Sequence, residues 1–565
     1  MALAATVPSP SPAPHPWLYG PAADLLLGCG LLYAFFFVLQ ALDGAAMRAW
    51  LPALLLPFLT LVLGAPHYGA TLLRVYERAE ERRRYAFFSV WATLAIAALY
   101  VASLRSFALG SLLVTLYFTW SPWHYSGQNY GVAVLFLRRR GVDVSPGAKR
   151  LLQGTFVLSY ALVFLALHTA GPSVQQAPGS VEGTVYRFPN LGIPTQVRDL
   201  LATVLLGAYL VCAAGAAWRL RGARLRDLGP TAAVVLVQAA WFLVPTAAGI
   251  WGTLQGLDPL AAEQRPYAFI WIAVGHFVQY LWITSYHART SPHPAGQARF
   301  LAKALLAGAS VWTLPALLFS PGALGRLPFD LGLGLLTASA VNLHHFVLDG
   351  AIWKLRDGRV ARALLRPPTA AALSPPESVW RPWLRRVAWV GGSLAVVVAL
   401  LGDYETLLGN YSARNADPER VRVAVQRRAW LGKATPTVHL ALARQALRRG
   451  DVRAALFEIE KAQAIYPSAD AWILRAALHE SAGEWALAAR AMDEALALDG
   501  TRVDALVGSA RALQQLGDAS GALARLERAH ARDPENRVVR LSLDRLRDEV
   551  AASRPEPPAP NAPNL

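Results

Sequence analysis

Apolar residues recur in runs of about twenty between Trp17 and Leu401, separated by short polar stretches. A helix rising about 1.5 Å per residue needs a run of that length to cross a hydrocarbon core of about 30 Å. The pattern predicts eleven membrane-spanning helices, at 17–40, 49–73, 85–104, 107–137, 151–171, 199–218, 231–250, 266–287, 300–320, 328–353 and 384–402. The segment 172–197 reads as a longer outer loop rich in Gly and Pro. Beyond residue 402 the runs stop. Residues 403–435 read as a linker, and from about Pro436 the chain becomes Ala-rich, charged and amphipathic.

That last part is periodic. Gly450, Gly483 and Gly517 recur at intervals of 33 and 34 residues. Ala455, Ala488 and Ala522 follow each glycine by five residues, and Ala462, Ala495 and Ala529 by twelve. Pro467 and Pro534 follow by seventeen, where the middle repeat has Gly500. Glycine permits a tight turn between helices, small alanines let helix pairs approach closely, and proline ends the second helix. The spacing resembles the tetratricopeptide repeat, which implies an array of helix pairs with a concave groove for a protein partner. A capping helix follows in "NRVVRLSLDRLRDEV".

The fold class that follows is all-α: a polytopic transmembrane helix bundle of about eleven spans, then an α-solenoid of about three tetratricopeptide repeats. The expected domains are a disordered Pro-rich N-terminus (1–16), the transmembrane domain (17–402), the linker (403–435), the repeat domain with its cap (436–550) and a disordered Pro-rich tail (551–565).

Charge sets the expected orientation. Basic residues crowd alternate loops: Arg74 to Arg84, Arg138 to Arg150, Arg219 to Arg226, Arg289 to Lys303 and Lys354 to Arg386. The intervening loops hold only Arg48, Arg105, Arg187, Arg198, Arg265 and Arg326. The basic loops are expected in the cytoplasm. Eleven spans then place the N-terminus inside and the repeat array outside the inner membrane of a bacterial cell. The N-terminal "MALAATVPSPSPAPHPW" lacks the basic stretch of a cleavable signal, so the first span reads as retained.

Composition narrows the function. The formal net charge is +17, but the positive charge is distributed as membrane topology requires, so no nucleic-acid partner is expected. The two cysteines, Cys29 and Cys212, lie inside apolar runs and form neither a disulfide framework nor a CxxC motif. No glycine loop stands in a strand–turn–helix setting, so neither NAD nor ATP is expected.

The candidate chemistry lies in polar residues inside the apolar runs. In "VNLHHFVLDGAIWKLR" the residues Asn342, His345 and Asp349 fall on one helix face, and His344 points about 100° away. In "YFTWSPWHYSGQNYG" Ser121, His124 and Gln128 repeat the same spacing. "LGAPHYGATLLRVY" carries His67, and "IAVGHFVQYLWITSYH" carries His276 and Tyr280 with Gln279 beside them. Counted from the first basic residue, the four histidines lie roughly 10 to 21 Å above the cytoplasmic boundary. Polar groups at that depth are expensive and mark functional sites or helix–helix hydrogen bonds. Imidazoles from four helices beside a carboxylate suit a borderline transition metal such as iron. The expected metal ligands are His67, His124, His276 and His345, with His344 as a further candidate. Asp349, Gln128 and Tyr280 are the expected catalytic or orienting residues. His287 sits at the interface, and His168 lies near the opposite membrane face. His439, His479 and His530 share no motif in the repeat array.

"APHYGA" around His67 and "WHYSGQ" around His124 resemble the Brp/Blh family of membrane-embedded carotene-cleaving oxygenases, which place single histidines on several spans. In this chain Tyr68 interrupts the Pro-His-Gly motif, and no acidic residue closely follows His67 or His124. The resemblance implies an iron-dependent oxidation of a lipid or isoprenoid that enters from the bilayer. The histidine boxes of membrane desaturases are absent. Two other classes remain open: a membrane glycosyltransferase with a polyprenyl-phosphate donor, for which Asp43 is the only carboxylate counterpart, and a non-catalytic scaffold anchored by the bundle. A b-type haem held by two histidines is a variant of the first reading.

The charge pattern makes a direct prediction. Protease added to intact spheroplasts is expected to remove the chain beyond about residue 430. Cleavage only after the inner membrane is permeabilised would reverse the topology.

Overall fold

The computed structural model describes residues 15–43, 56–170, 186, 188–251, 265–290, 296–353, 360, 364–365, 382–414 and 417–552. Most of the two Pro-rich ends, the start of the second apolar run, most of the 172–197 loop and His293 lie outside the described residues. Among those described, the chain is helical apart from loops and two isolated β-bridges, Thr169 with Ile193 and Pro321 with Gly325. It divides into two compact units, Met1–Lys433 and Ala434–Leu565.

In the first unit each of the eleven apolar runs is helical where it is described. By length and composition six of these helices can cross a membrane: Pro146–Leu167, Thr195–Leu220, Leu225–Trp251, Gln297–Leu318, Phe329–Ile352 and Arg386–Gly409. A seventh is the pair Pro21–Gly28 and Leu31–Leu39, bent by 54°. The bend falls at Gly30, whose φ of 82° is disfavoured for residues with a Cβ. The remaining four runs fall short for three reasons. Phe87–Ser103 is short. The His67 run begins outside the described residues. The other two are the helices that carry His124 and His276, where imidazole, amide and hydroxyl groups dilute the apolar character. The segment 403–435, expected as a linker, is largely helical, in Pro382–Arg414 and Pro418–Trp430.

Six helices frame the candidate site: α1 (Ala65–Tyr76), α2 (Thr93–Ser103), α3 (Phe107–Arg139), α4 (Arg265–Thr290), α5 (Gln297–Leu318) and α6 (Gly334–Ile352). A wide π-helical turn at Thr60–Gly64 precedes α1. Pro66 has no N–H to donate one turn back and its ring crowds that turn, which accounts for the local widening. Next comes a very close crossing. A methyl group at Gly69 of α1 would overlap the Ala304 carbonyl of α5, and one at Gly308 of α5 would overlap the Ala65 carbonyl of α1. Small residues four apart on both helices let the backbones touch, as helices do in lipid. At 100° per residue His67 lies opposite the Ala65–Gly69 edge, so packing α5 on that edge turns the imidazole into the bundle.

Amide networks fix the other helices. Gln238 donates to Ser126 of α3 and to Ser159, both at 2.7 Å, and accepts from Asn129 of α3 at 2.8 Å. Gln279 of α4 donates to the Gly28 carbonyl at 2.8 Å. The Asp24 carboxylate accepts from the backbone N–H of Leu18 and from the Trp282 indole of α4, at 2.6 and 2.9 Å. These groups are buried and mutually paired, so they add specificity without leaving desolvated donors.

The second unit is three helix pairs and a cap: Pro436–Arg448 with Val452–Ile465, Ala469–Ser481 with Trp485–Leu498, Val503–Gln515 with Ala519–Arg532, then Arg537–Ala552. Gly450, Gly483 and Gly517 form the intra-pair turns with φ of 73°, 74° and 83°. The six periodic alanines are all fully buried between helices. Asp451 and Asp518 cap the helices that follow these turns, accepting from the backbone N–H of Ala454 and Gly521.

The α1–α5 crossing sets a stability prediction. Gly69→Ala and Gly308→Ala are each expected to cost about 1–3 kcal/mol, because neither backbone can retreat. Gly350→Ala, where an added methyl meets nothing, is expected to be neutral or to stabilise by up to about 1 kcal/mol. Unfolding in detergent checks this; equal midpoints for all three variants would contradict the close crossing.

Candidate metal centre

Four helices bring their histidines to one point. His67 from α1, His276 from α4 and His345 from α6 are buried, and His124 from α3 is nearly so. The His67 ring centroid lies 4.2 Å from that of His345 and 4.7 Å from that of His276. His124 lies 4.9 Å from each of His276 and His345. His67, His276 and His345 can each turn one ring nitrogen to a point where the three lie within 4.8 Å of one another, and so can His124, His345 and Asp349 with one ligand atom each.

Both ring nitrogens of His67, both of His276, and Nε2 of His124 and of His345 are buried without a hydrogen-bond partner. Helix–helix glue is paired, and these nitrogens are not. One nitrogen from each of the four rings could serve as a metal ligand. With metal–nitrogen bonds of about 2.0–2.1 Å, side-chain shifts on the order of 1 Å would close such a shell.

The carboxylate is held so that one oxygen stays available. Asp349 Oδ1 accepts from the Tyr280 hydroxyl at 2.6 Å and from Thr71 at 3.1 Å. Asp349 Oδ2 lies 3.6 Å from His345 Nε2 and 3.8 Å from His124 Nε2, too far for a hydrogen bond and close enough to share an ion. Thr71 Oγ1 also lies 2.9 Å from His345 Nδ1, which fixes that ring and leaves Nε2 facing the cluster. The Trp353 indole donates to the Tyr280 hydroxyl at 3.0 Å. Tyr68 donates to Asn342 at 2.7 Å, tying α1 to α6. Phe346 stacks on His124 at 4.5 Å and Tyr125 lies 4.2 Å from His276, so apolar rings wall the cluster.

The other candidates fall elsewhere. His344, expected as a further ligand, does not reach the cluster: it projects about 100° from His345 and places Nε2 at 2.9 Å from Thr93 and 3.2 Å from Tyr76. Gln128 does not face the imidazoles either. It donates to Gln279 at 2.5 Å and to the His276 carbonyl at 3.3 Å, so it positions α4 from behind. Tyr280 acts on Asp349 rather than from within the ligand set. His168 meets Thr119 at 3.1 Å, and His287 packs edge-on against Trp353. His439 pairs with Glu458 in the repeat unit at 2.8 Å.

Sequence reasoning did not assign Thr71 or Trp353 to the site. Helical spacing does put Thr71 on the His67 face, but a hydroxyl there reads as helix packing. Nothing in the chain marks Trp353.

An apolar cleft of about 230 Å³ leads to the cluster between α1, α2, α5 and α6. His345, Thr71 and Tyr68 line its inner end, and Ala97, Ile96, Val311 and Pro315 line its open side.

Comparison with protein families matches residues 480–543 to a tetratricopeptide repeat model. The repeat unit is therefore a tetratricopeptide-repeat module, a class that serves protein–protein interaction. No curated protein matches the chain.

The donor set predicts metal content. His67→Ala, His124→Ala, His276→Ala and His345→Ala are each expected to lower bound metal at least about tenfold, and Thr71→Val by a comparable factor through loss of orientation. His344→Ala and His168→Ala are expected to keep it. Elemental analysis of purified, correctly inserted protein decides; uniform content across all seven variants would refute the ligand assignment.

Proposed function

We propose that this chain is an integral membrane metal-dependent oxygenase, with iron as the metal and a lipid or isoprenoid as substrate. The observation that carries the reading is the set of six unpartnered imidazole nitrogens beside Asp349, at the inner end of an apolar cleft. His67, His124, His276 and His345 would hold the metal, and Asp349 would complete or orient the shell. Bound there, iron supplies binding and activation of oxygen.

The rest of the chemistry belongs to the protein. Asp349 can accept a proton through Oδ2, while Oδ1 stays fixed by Tyr280 and Thr71. Trp353 holds the Tyr280 hydroxyl in place. Phe346, Tyr125 and Phe277 keep water from the imidazoles. The cleft admits an apolar molecule sideways, which suits a substrate dissolved in the bilayer.

The topology belongs to the same proposal: eleven spans in a bacterial inner membrane, the N-terminus cytoplasmic and the repeat module outside. The module would recruit a protein partner to the enzyme.

Growth under heavy-isotope oxygen gas tests the function. Cells producing the wild-type chain are expected to incorporate label into a membrane lipid, and cells producing His124→Ala are not. Identical lipid labelling in both, with metal bound in the wild type, would overturn the oxygenase reading and leave a structural or electron-transfer centre.

A further inference from the structure

The apolar cleft has a second polar end. α2 and α6 run antiparallel along it: Thr93 meets His344 at one end, and Tyr100 meets Thr337 at the other, with the two hydroxyls 3.0 Å apart. All four residues line the cleft, and Ile96, Ala97, Ala340 and Val341 lie between them. The eight helical steps from Thr337 to His345 span about 12 Å, so the far hydroxyl pair stands about that distance from the imidazole cluster. No lysine, arginine, aspartate or glutamate lines the cleft.

The hydrogen positions at the far end follow from the acceptors. Thr337 Oγ1 donates to the Leu333 carbonyl one turn back, at 2.8 Å. Its hydrogen is then committed, and the Tyr100 phenol donates to Thr337. The phenol oxygen keeps a lone pair at the cleft with no donor among the described residues. A lining without charge does not favour a carboxylate or phosphate, and an apolar wall ending in a spare acceptor suits a hydroxyl donor. With carbon–carbon bonds of about 1.5 Å in a zigzag, a 12 Å separation corresponds to about eight to ten carbons.

We propose that the cleft is a length gauge for a neutral apolar alcohol: the Tyr100–Thr337 pair receives the terminal hydroxyl, and a carbon about eight to ten positions along the chain lies beside His345. The statement that this carbon is the one oxidised rests on the oxygenase reading; the anchoring of the alcohol does not. Tyr100 and Thr337 are positioning residues.

Photo-crosslinking in lipid nanodiscs tests this without turnover. The probes are straight-chain primary alcohols of six to fourteen carbons with a diazirine at the far end, and the matching alkanes. The ten-carbon alcohol is expected to label Tyr68, Thr71 or Leu72 at least about fivefold more than its alkane, with weaker labelling there by shorter and longer alcohols. Tyr100→Phe with Thr337→Val is expected to remove that preference while the melting temperature and metal content stay as in the wild type. Equal labelling by alcohols and alkanes in the wild type, or no dependence on chain length, overturns the proposal with no need of any variant. Wild-type protein that contains no metal yet shows the alcohol preference would overturn the metal reading alone.

Discussion

The structure turns on six buried imidazole nitrogens that have nothing to bond to among the described residues. A buried polar atom without a partner costs about 1–3 kcal/mol, so the set amounts to something on the order of 10 kcal/mol. That is comparable with the whole stability of an ordinary domain. A fold that gathers such groups from four helices needs something to offset the loss. Structural zinc supplies an apparent 10–16 kcal/mol or so in small peptides. A coordinated ion that takes one nitrogen from each ring has a magnitude suited to offsetting most of that cost, and a few helix–helix hydrogen bonds do not. Had His67 and His276 been glue, each ring would show at least one partner, as His168 does with Thr119 and His439 with Glu458.

Much of the surrounding architecture follows from aiming those rings. The Gly69–Ala304 and Gly308–Ala65 contacts press α1 onto α5 on the side opposite His67. Gln128 grips α4 at the His276 carbonyl, and Thr71 holds both Asp349 and His345. Amides and hydroxyls that make at least one hydrogen bond thus surround a centre in which the His67 and His276 rings make none. The apolar cleft reaches this centre past His344, whose bonds to Thr93 and Tyr76 make it part of the cleft wall rather than of the ligand set.

Sequence pattern reveals some of this directly and conceals the rest for physical reasons. The repeat unit is legible because its period is set by close packing: the alanines five and twelve residues after each glycine are the ones buried without space to spare. The helices carrying His124 and His276 were legible as apolar runs but fall short of span-like hydropathy, because the site itself interrupts them. The stripe Asn342, His345, Asp349 was readable from helical spacing, as was the divergence of His344. The role of Gln128 was not, since spacing places it on the His124 face but cannot say which neighbour that face meets. Thr71 and Trp353 escaped for a related reason: a hydroxyl or an indole in an apolar run has many packing uses, and only the position of Asp349 gives these two a chemical one. The Tyr100–Thr337 end of the cleft depends on two helices meeting, which spacing within either one does not encode.

The central claim is that these imidazoles coordinate a metal. X-ray absorption at the iron edge of wild-type protein, purified gently after growth with iron, addresses it most directly. The account predicts about one iron per chain with a nitrogen and oxygen first shell and the outer-shell scattering of at least three imidazoles. Protein carrying well below one metal per chain, or iron whose spectrum lacks imidazole scattering, would contradict it.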